Sequence, residues 1–409
     1  MSVPSTADAL QSLRAYPAFM RYWCARLASS FAFQVLSVAV GWQVYDITRD
    51  PLDLGLIGLA QFVPSVLLAL PAGHVADQFP RRKIVLVTQS CQWLALLILV
   101  MGSWQGFLNE GLILTLVFVI GAFKAFEFPA LKSMVPSLVP ESLLPRALAL
   151  DASGMQMASI AGPALGGLVY IGGPVLTYGL SALLYLTSLS VLLKLQYHYV
   201  PAVRQPMTLN TLFAGVSFIR ARPVILGVIS LDLFAVLLGG ATALLPVFAR
   251  DILHTGPWGL GLLRAAPAVG ALIMSFWLAR YTLQRRVGMT MFGAVAGFGV
   301  ATLVFALSTN LWLSLVALAA LGAFDMVSMV IRGALVQLET PDAMRGRVTA
   351  VNSIFINTSN QLGEFESGIL AAMVGAVSAT VIGGVGTLVV VAAWMVMFPQ
   401  VRDRQRLKE

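Results

Sequence analysis

The sequence predicts an all-α membrane protein of twelve transmembrane helices, arranged as two six-helix bundles related by pseudo-symmetry. Three observations carry that prediction. The 409-residue chain is 58% hydrophobic and only 11% charged, whereas a soluble domain carries about 25% charge. It contains twelve apolar runs close to the ~20 residues that a spanning helix requires. Its second half also repeats the landmarks of its first.

The first six runs lie near 21–45, 54–76, 83–104, 111–134, 142–170 and 174–194. The second six lie near 224–249, 257–280, 287–307, 311–336, 346–372 and 375–398. Between them, residues 195–222 hold Pro201, Arg204, Pro206, Arg220 and Arg222. Leu209, Leu212, Phe213, Val216 and Ile219 recur there at helical spacing, so the stretch reads as a linker with an amphipathic helix on the inner surface. The expected organisation is a bundle over 1–194, the linker over 195–222, and a second bundle with a tail over 223–409.

The repeat is ungapped over its central block. Gly121-Ala122-Phe123-Lys124 matches Gly322-Ala323-Phe324-Asp325, while Pro140, Arg146 and Gly162 match Pro341, Arg347 and Gly363, all at an offset of 201. Pro17 matches Pro223 at 206. Parallel repeats of this kind are related by an axis along the membrane normal and place a substrate site at mid-depth where they meet.

Loop charge gives the orientation. Twenty of the 26 Lys and Arg fall in the N-terminus, the even-to-odd connections, the central stretch and the tail. The opposite loops carry only Arg49 and Arg250, alongside Asp46, Asp50, Asp53, Glu110 and Asp251. Both termini are therefore expected in the cytoplasm. The net charge of +8 follows from this bias, and its scatter over short loops excludes a nucleic-acid surface. Cys24 and Cys91 read as small core residues with no disulfide framework. The three histidines are too far apart in sequence for a metal cluster. Residues 1–20 lack the apolar core of a cleavable signal. With no nucleophile–base constellation and no P-loop, an enzyme or ATPase is not expected, and no cofactor is called for.

A charged hinge between the second and third runs reads Gly73-His74-Val75-Ala76-Asp77-Gln78-Phe79-Pro80-Arg81-Arg82-Lys83. Its Gly-x-x-x-Asp-x-x-x-Arg-Arg pattern resembles the loop signature of the major facilitator superfamily. Thr340-Pro341-Asp342-Ala343-Met344-Arg345-Gly346-Arg347-Val348 is similar to the loop before the eleventh span in that superfamily's bacterial enterobactin-exporter-like branch. Gly162-Pro163-Ala164-Leu165-Gly166-Gly167 is similar to its antiporter motif. Pro80 stands where the loop usually has glycine. In the second half Arg285 and Arg286 remain, but Trp277 and Tyr281 occupy the Gly and Asp positions.

The resemblance implies a monomeric, multi-pass secondary transporter of the bacterial inner membrane. It implies export, by alternating access and proton antiport, of a small amphipathic or anionic molecule, siderophore or drug-like. A multidrug exporter of cationic compounds, an importer and a lipid flippase are the competing readings. Gly73 would let the second span approach the eleventh closely. Asp77 would face the positive N-terminal end of the eleventh helix, near Arg345 and Arg347. Arg81 and Arg82 would pair with cytoplasmic acids. Gly162, Pro163, Gly166 and Gly167 would bend the fifth span and let it pack on the eighth.

Ionisable groups inside the membrane cost a few kcal/mol at least, so each needs a partner, water or a task. Arg26 in the first span has Asp232 in the seventh as its repeat mate, and Lys124 in the fourth has Asp325 in the tenth. By resemblance these four spans line the cavity. Two readings stay open: the opposite charges meet across the halves, or each is satisfied within its own half, as Lys124 with Glu127 at i, i+3. A carboxylate removed from water holds its proton more tightly. Asp325 or Glu127 is thus the first candidate proton carrier and Glu364 the second, with Glu366 also available and Arg264 as a counter-charge. Asp151 and Arg332 are expected to snorkel from the cytoplasmic ends.

Overall fold

The computed structural model describes residues 13–196, 209–281 and 285–407, and among them the protein is helical with no strand. Helices α1 (Pro17–Thr48), α2 (Pro51–Leu67), α3 (Ala69–Gln78), α4 (Arg81–Gln105), α5 (Glu110–Met134), α6 (Leu144–Val169) and α7 (Pro174–Leu193) form the first half. The linker helix α8 (Leu209–Arg220) follows. Then come α9 (Pro223–Leu238), α10 (Pro257–Arg280), α11 (Val287–Leu307), α12 (Leu311–Glu339), α13 (Asp342–Val374) and α14 (Ala376–Met397).

Local chemistry sets the ends. Proline opens α1, α2, α7, α9 and α10, where its missing N–H costs nothing. The Asn109 side chain accepts from the Leu112 N–H to cap α5, and Asn310 accepts from the Trp312 and Leu313 N–H groups to cap α12. The two asparagines are 201 residues apart, so the repeat extends to the capping chemistry. Gly173 and Gly375 turn the chain between α6 and α7 and between α13 and α14, with φ of 98° and 86°, where a side chain would be strained.

Among the described residues nine helical spans are long and apolar enough to cross a membrane. The other expected spans differ for identifiable reasons. The second is split into α2 and α3 at Leu68, because Pro71 has no N–H to offer the Leu67 carbonyl. The fifth and eleventh, α6 and α13, carry Asp151, Ser153 and Gln156, and Asn352, Glu364 and Glu366, within their length. The seventh, one of the nine, is interrupted at Gly239-Gly240 and resumes as a 3₁₀ turn (Ala241–Leu244) and a π-helix (Phe248–Ile252), instead of running unbroken to 249.

The chain divides into two compact units. One contains the described residues up to 43 and from 63 to 196; the other contains 44–62 and all described residues from 209 onward. The Thr48 end of α1 and the first three turns of α2 thus belong with the C-terminal half. Each unit has its own core, around Phe19, Tyr22, Val85, Met134 and Leu192 in the first and Ile225, Leu231, Met291, Phe292 and Leu335 in the second. Ile219 of the linker helix is buried in the second core, with Val216 packed against it. Pro201, Arg204 and Pro206 lie outside the described residues, as do the side chains of Leu209, Leu212 and Phe213.

Small residues decide how closely helices approach when apolar burial gives no advantage over lipid. A Cβ on Gly368 of α13 would lie 2.6 Å from the Gly55 Cα of α2, and one on Gly58 would lie 2.8 Å from the Glu364 Cβ. This is where the second span meets the eleventh. Gly73, expected to make that approach, has no atom within 4 Å of where its Cβ would stand. Gly162 and Gly166 of α6 face Gln34 and Val35 of α1. Gly368→Val should lower the unfolding free energy of detergent-purified protein by about 1–3 kcal/mol, the usual cost of overpacking. An unchanged denaturant midpoint would count against the close packing of α2 on α13.

Candidate functional site

Each half contains a buried polar centre. In the first, α4 and α7 together cradle an acid from α5. Gln89 Nε2 donates to Glu127 Oε1 at 2.7 Å and Gln92 Nε2 donates to Glu127 Oε2 at 2.8 Å. The Tyr185 hydroxyl donates to Gln92 Oε1 at 2.7 Å, which leaves the Gln92 amide hydrogens for Glu127. The Ser188 hydroxyl lies 2.8 Å from both Gln89 Oε1 and the Ala25 carbonyl oxygen of α1, and its single proton serves one of them at a time. All five of these side chains are buried. No ion pair joins Glu127 to Lys124 among the described residues, the within-half alternative for that lysine. One turn away, the Lys124 ammonium sits 2.8 Å from the centroid of the Phe33 ring on α1, a cation–π contact with Glu127 as a charged neighbour.

Gln89, Gln92, Tyr185 and Ser188 are not legible as a site in the sequence, because uncharged polar residues in apolar runs carry no sign of their partners. The available signal was two pairs of polar residues at i, i+3 within apolar runs. Gln92→Leu would strand both Glu127 Oε2 and the Tyr185 hydroxyl. It should destabilise the protein by roughly 2–4 kcal/mol, the cost of leaving buried polar groups unpaired. Equilibrium unfolding in bicelles checks this, and a neutral effect would show that the cradle carries no weight.

The same half holds Arg26 of α1 beside Asp151 of α6, at 2.7 Å between Nε and Oδ1 and off the hydrogen-bond axis. In the second half the Arg332 guanidinium of α12 donates to the Asp232 carboxylate of α9, with both groups buried. Depth explains these partners. Arg26 lies nine residues into α1 and Asp151 seven into α6, about 10–13 Å along each axis. Asp232 lies nine residues into α9 and Arg332 seven from the end of α12. Neither Asp151 nor Arg332 snorkels. Of the two readings for Arg26 and Asp232, satisfaction within each half is the arrangement found.

Asp325 differs from Asp151, Asp232 and Glu127, which are held by ion pairs or hydrogen bonds. Among the described residues it has neither an ion-pair nor a hydrogen-bond partner. It lines a cavity of about 10 Å³ together with Asp232, Phe298, Phe324 and Ser328, room for about one water. The Ser328 hydroxyl in the same lining is buried without a hydrogen-bond partner among the described residues. Glu364 of α13 and Arg264 of α10 are charged neighbours in the same half.

Charges at the Thr48 end of α1 also converge. The Tyr45 hydroxyl donates to Asp251, Arg250 donates to Asp46, and Arg49 approaches Asp251 at 3.8 Å and Asp46 at 4.0 Å. The sequence marked these residues only as loop charges setting topology. They tie the end of α1 to the π-helix after α9.

At the opposite end, Arg81 Nη1 donates to the Ser133 carbonyl oxygen at 2.7 Å. Arg82 donates to the Leu192 and Leu193 carbonyl oxygens at 3.0 and 2.7 Å. Arg82 therefore caps the end of α7 and pairs with no acid among the described residues. Arg345 and Arg347 are exposed on the first turns of α13, and the Asp77 side chain lies outside the described residues. Cys24 is exposed and Cys91 half-buried, so neither is a core residue.

Nine apolar spans among the described residues, with charges paired inside each half, are those of a polytopic membrane protein. A family model described as transmembrane secretion effector matches residues 8–407. The chain belongs to this family of the major facilitator superfamily, whose members are transporters rather than enzymes. It is 27% identical to the enterobactin exporter EntS of Citrobacter koseri (strain ATCC BAA-895 / CDC 4225-83 / SGSC4696), over 96% of this chain and 94% of that one. The same figures hold for EntS of Escherichia coli O157:H7 (strain EC4115 / EHEC). Among solved structures, a bacterial homologue of the human lysosomal transporter Spinster, inward-facing and occupied, aligns with a TM-score of 0.73 at 13% identity, covering 95% of this chain and 98% of that one. The nucleoside transporter NupG aligns with a TM-score of 0.66 at 15% identity, covering 93% and 99%. At these identities the structural likenesses establish the fold alone.

Proposed function

We propose that this protein is an inner-membrane exporter of small amphipathic anions, siderophore-like in chemistry, driven by proton antiport. The observation that carries the reading is the pair Lys124 and Asp325. These residues occupy equivalent repeat positions on α5 and α12, yet neither makes an ion pair among the described residues. Arg26, Asp232, Asp151 and Arg332 are held in ion pairs and Glu127 in its cradle, while Glu364 has Arg264 as a charged neighbour. A carboxylate without an ion partner must carry a proton or reach water, and an ammonium on an aromatic face remains available to an anion. Asp325 is the proton carrier in this reading. Lys124 with Phe33 receives the anionic, aromatic part of the substrate. Arg26 and Asp232, committed to Asp151 and Arg332, are structural.

Glu127, held by two amide donors, orients Lys124, and Glu364 with Arg264 is a secondary charged site. Gly73, Asp77, Arg345 and Arg347 retain a gating role at the cytoplasmic end, with both termini on that side. Gly162, Pro163, Gly166 and Gly167 shape α6 against α1. The Tyr45, Asp46, Arg49, Arg250 and Asp251 cluster ties the end of α1 to the π-helix after α9. The named relatives, enterobactin exporters, support the substrate class. Export of cationic amphipathic compounds is the second reading, favoured by the acids Asp325, Glu127 and Glu364.

The test is transport in proteoliposomes with an imposed pH gradient, offering a catecholate siderophore or a cationic dye. Siderophore movement alone is expected. Dye movement alone would overturn the substrate class and reduce Lys124 to a packing role.

A further inference from the structure

We propose that the groove between α4 and α7 is a binding site for an acidic phospholipid. The groove has a volume of about 480 Å³, and its lining includes Val87, Cys91, Trp93, Leu94, Leu189 and Ser190. It is apolar almost throughout, a surface that matches an acyl chain. At one end the chemistry changes abruptly. Arg82 spans from the start of α4 to the last carbonyls of α7 at 3.0 and 2.7 Å. Arg21 Nη1 donates to the Lys194 carbonyl oxygen at 2.7 Å.

Lys83 lies one helical turn before Val87, Lys194 directly follows Leu193, and both lysines are exposed. No carboxylate among the described residues pairs with any of these four cations. Arg82 already offsets the negative end of the α7 dipole, so Lys83 and Lys194 are uncompensated positive charge at the mouth of an apolar slot. Basic pockets between transmembrane helices at the membrane surface bind anionic headgroups. A phosphatidylcholine would bring its own cation to the same lysines and lose that attraction. The ligand is accordingly a lipid with net negative charge, such as phosphatidylglycerol, and the site is independent of the transported substrate.

Trp93 in the groove provides the readout. The protein is reconstituted in liposomes in which a fixed fraction of either phosphatidylglycerol or phosphatidylcholine is brominated on its acyl chain. Comparison with Trp93→Phe isolates the Trp93 emission. Brominated phosphatidylglycerol should quench that emission at least about twofold more than brominated phosphatidylcholine, on the strength of two nearby lysines. The Lys83→Gln/Lys194→Gln pair should make the two lipids equal, and Ser190→Phe, which fills the groove, should weaken quenching by both. Equal quenching in the wild type would mean the groove takes only bulk lipid and would overturn the proposal. Selectivity that survives the lysine substitutions, or that is unchanged in Trp93→Phe, would overturn it as well.

Discussion

Removing either member of the buried Asp232–Arg332 pair should destabilise the C-terminal half by about 3–5 kcal/mol, since the remaining charge is left in a nonpolar site with nothing to neutralise it. The guanidinium and the carboxylate are 4% and 7% exposed, so water cannot take over the lost role. Arg332→Met and Asp232→Leu should each be severe on their own. The double substitution should recover most of the loss, because a buried ion pair and a well-packed apolar pair are often near-equal in stability. The cycle separates a structural pair from a transport site. If Asp232 bound protons or substrate instead, the stable double variant would lack transport. In the present account it transports. The Arg26–Asp151 pair is more open, with 10% and 15% exposure, and its single variants should cost less.

Asp325→Asn should abolish proton-driven transport while leaving exchange of substrate for substrate intact. The amide is nearly isosteric with the carboxyl, and no ion pair is broken, so the unfolding midpoint should remain close to that of the wild type. What the variant loses is the capacity to take up and release a proton beside the small polar cavity it shares with Ser328. Substrate loaded on one side can still be traded for substrate on the other, because that cycle never requires the substrate-free, protonated carrier to return or the carboxyl to release its proton. Loss of exchange as well would assign Asp325 to substrate binding. Retention of proton-driven transport would move the carrier to Glu364 or Glu127.

The sequence made the spans and their repeat legible because both are written in local pattern. Run length, capping asparagines and an offset of 201 need no knowledge of which helix touches which. Partners were another matter. The repeat shows that Arg26 and Asp232 are equivalent, but equivalence does not say which neighbour each residue faces. Asp151 and Arg332 read as snorkelling charges because the sequence does not show that each faces an opposite charge, Arg26 and Asp232, that holds it inside. Gly73 was read as a packing glycine from its motif, whereas Gly55 and Gly58, with no motif around them, face α13. The Glu127 cradle escaped because glutamine, tyrosine and serine are common enough in membrane helices to pass unremarked until their hydrogen bonds close a network.

The most direct test of the central claim is proton movement itself. Purified protein in liposomes holding an internal pH dye, with no pH gradient imposed, would receive an outward or inward gradient of a catecholate siderophore. Antiport predicts that protons move against the direction of the siderophore, reverse when its gradient is reversed, and stop in Asp325→Asn. Siderophore transport with no change in internal pH, or with protons moving in the same direction, would contradict the account.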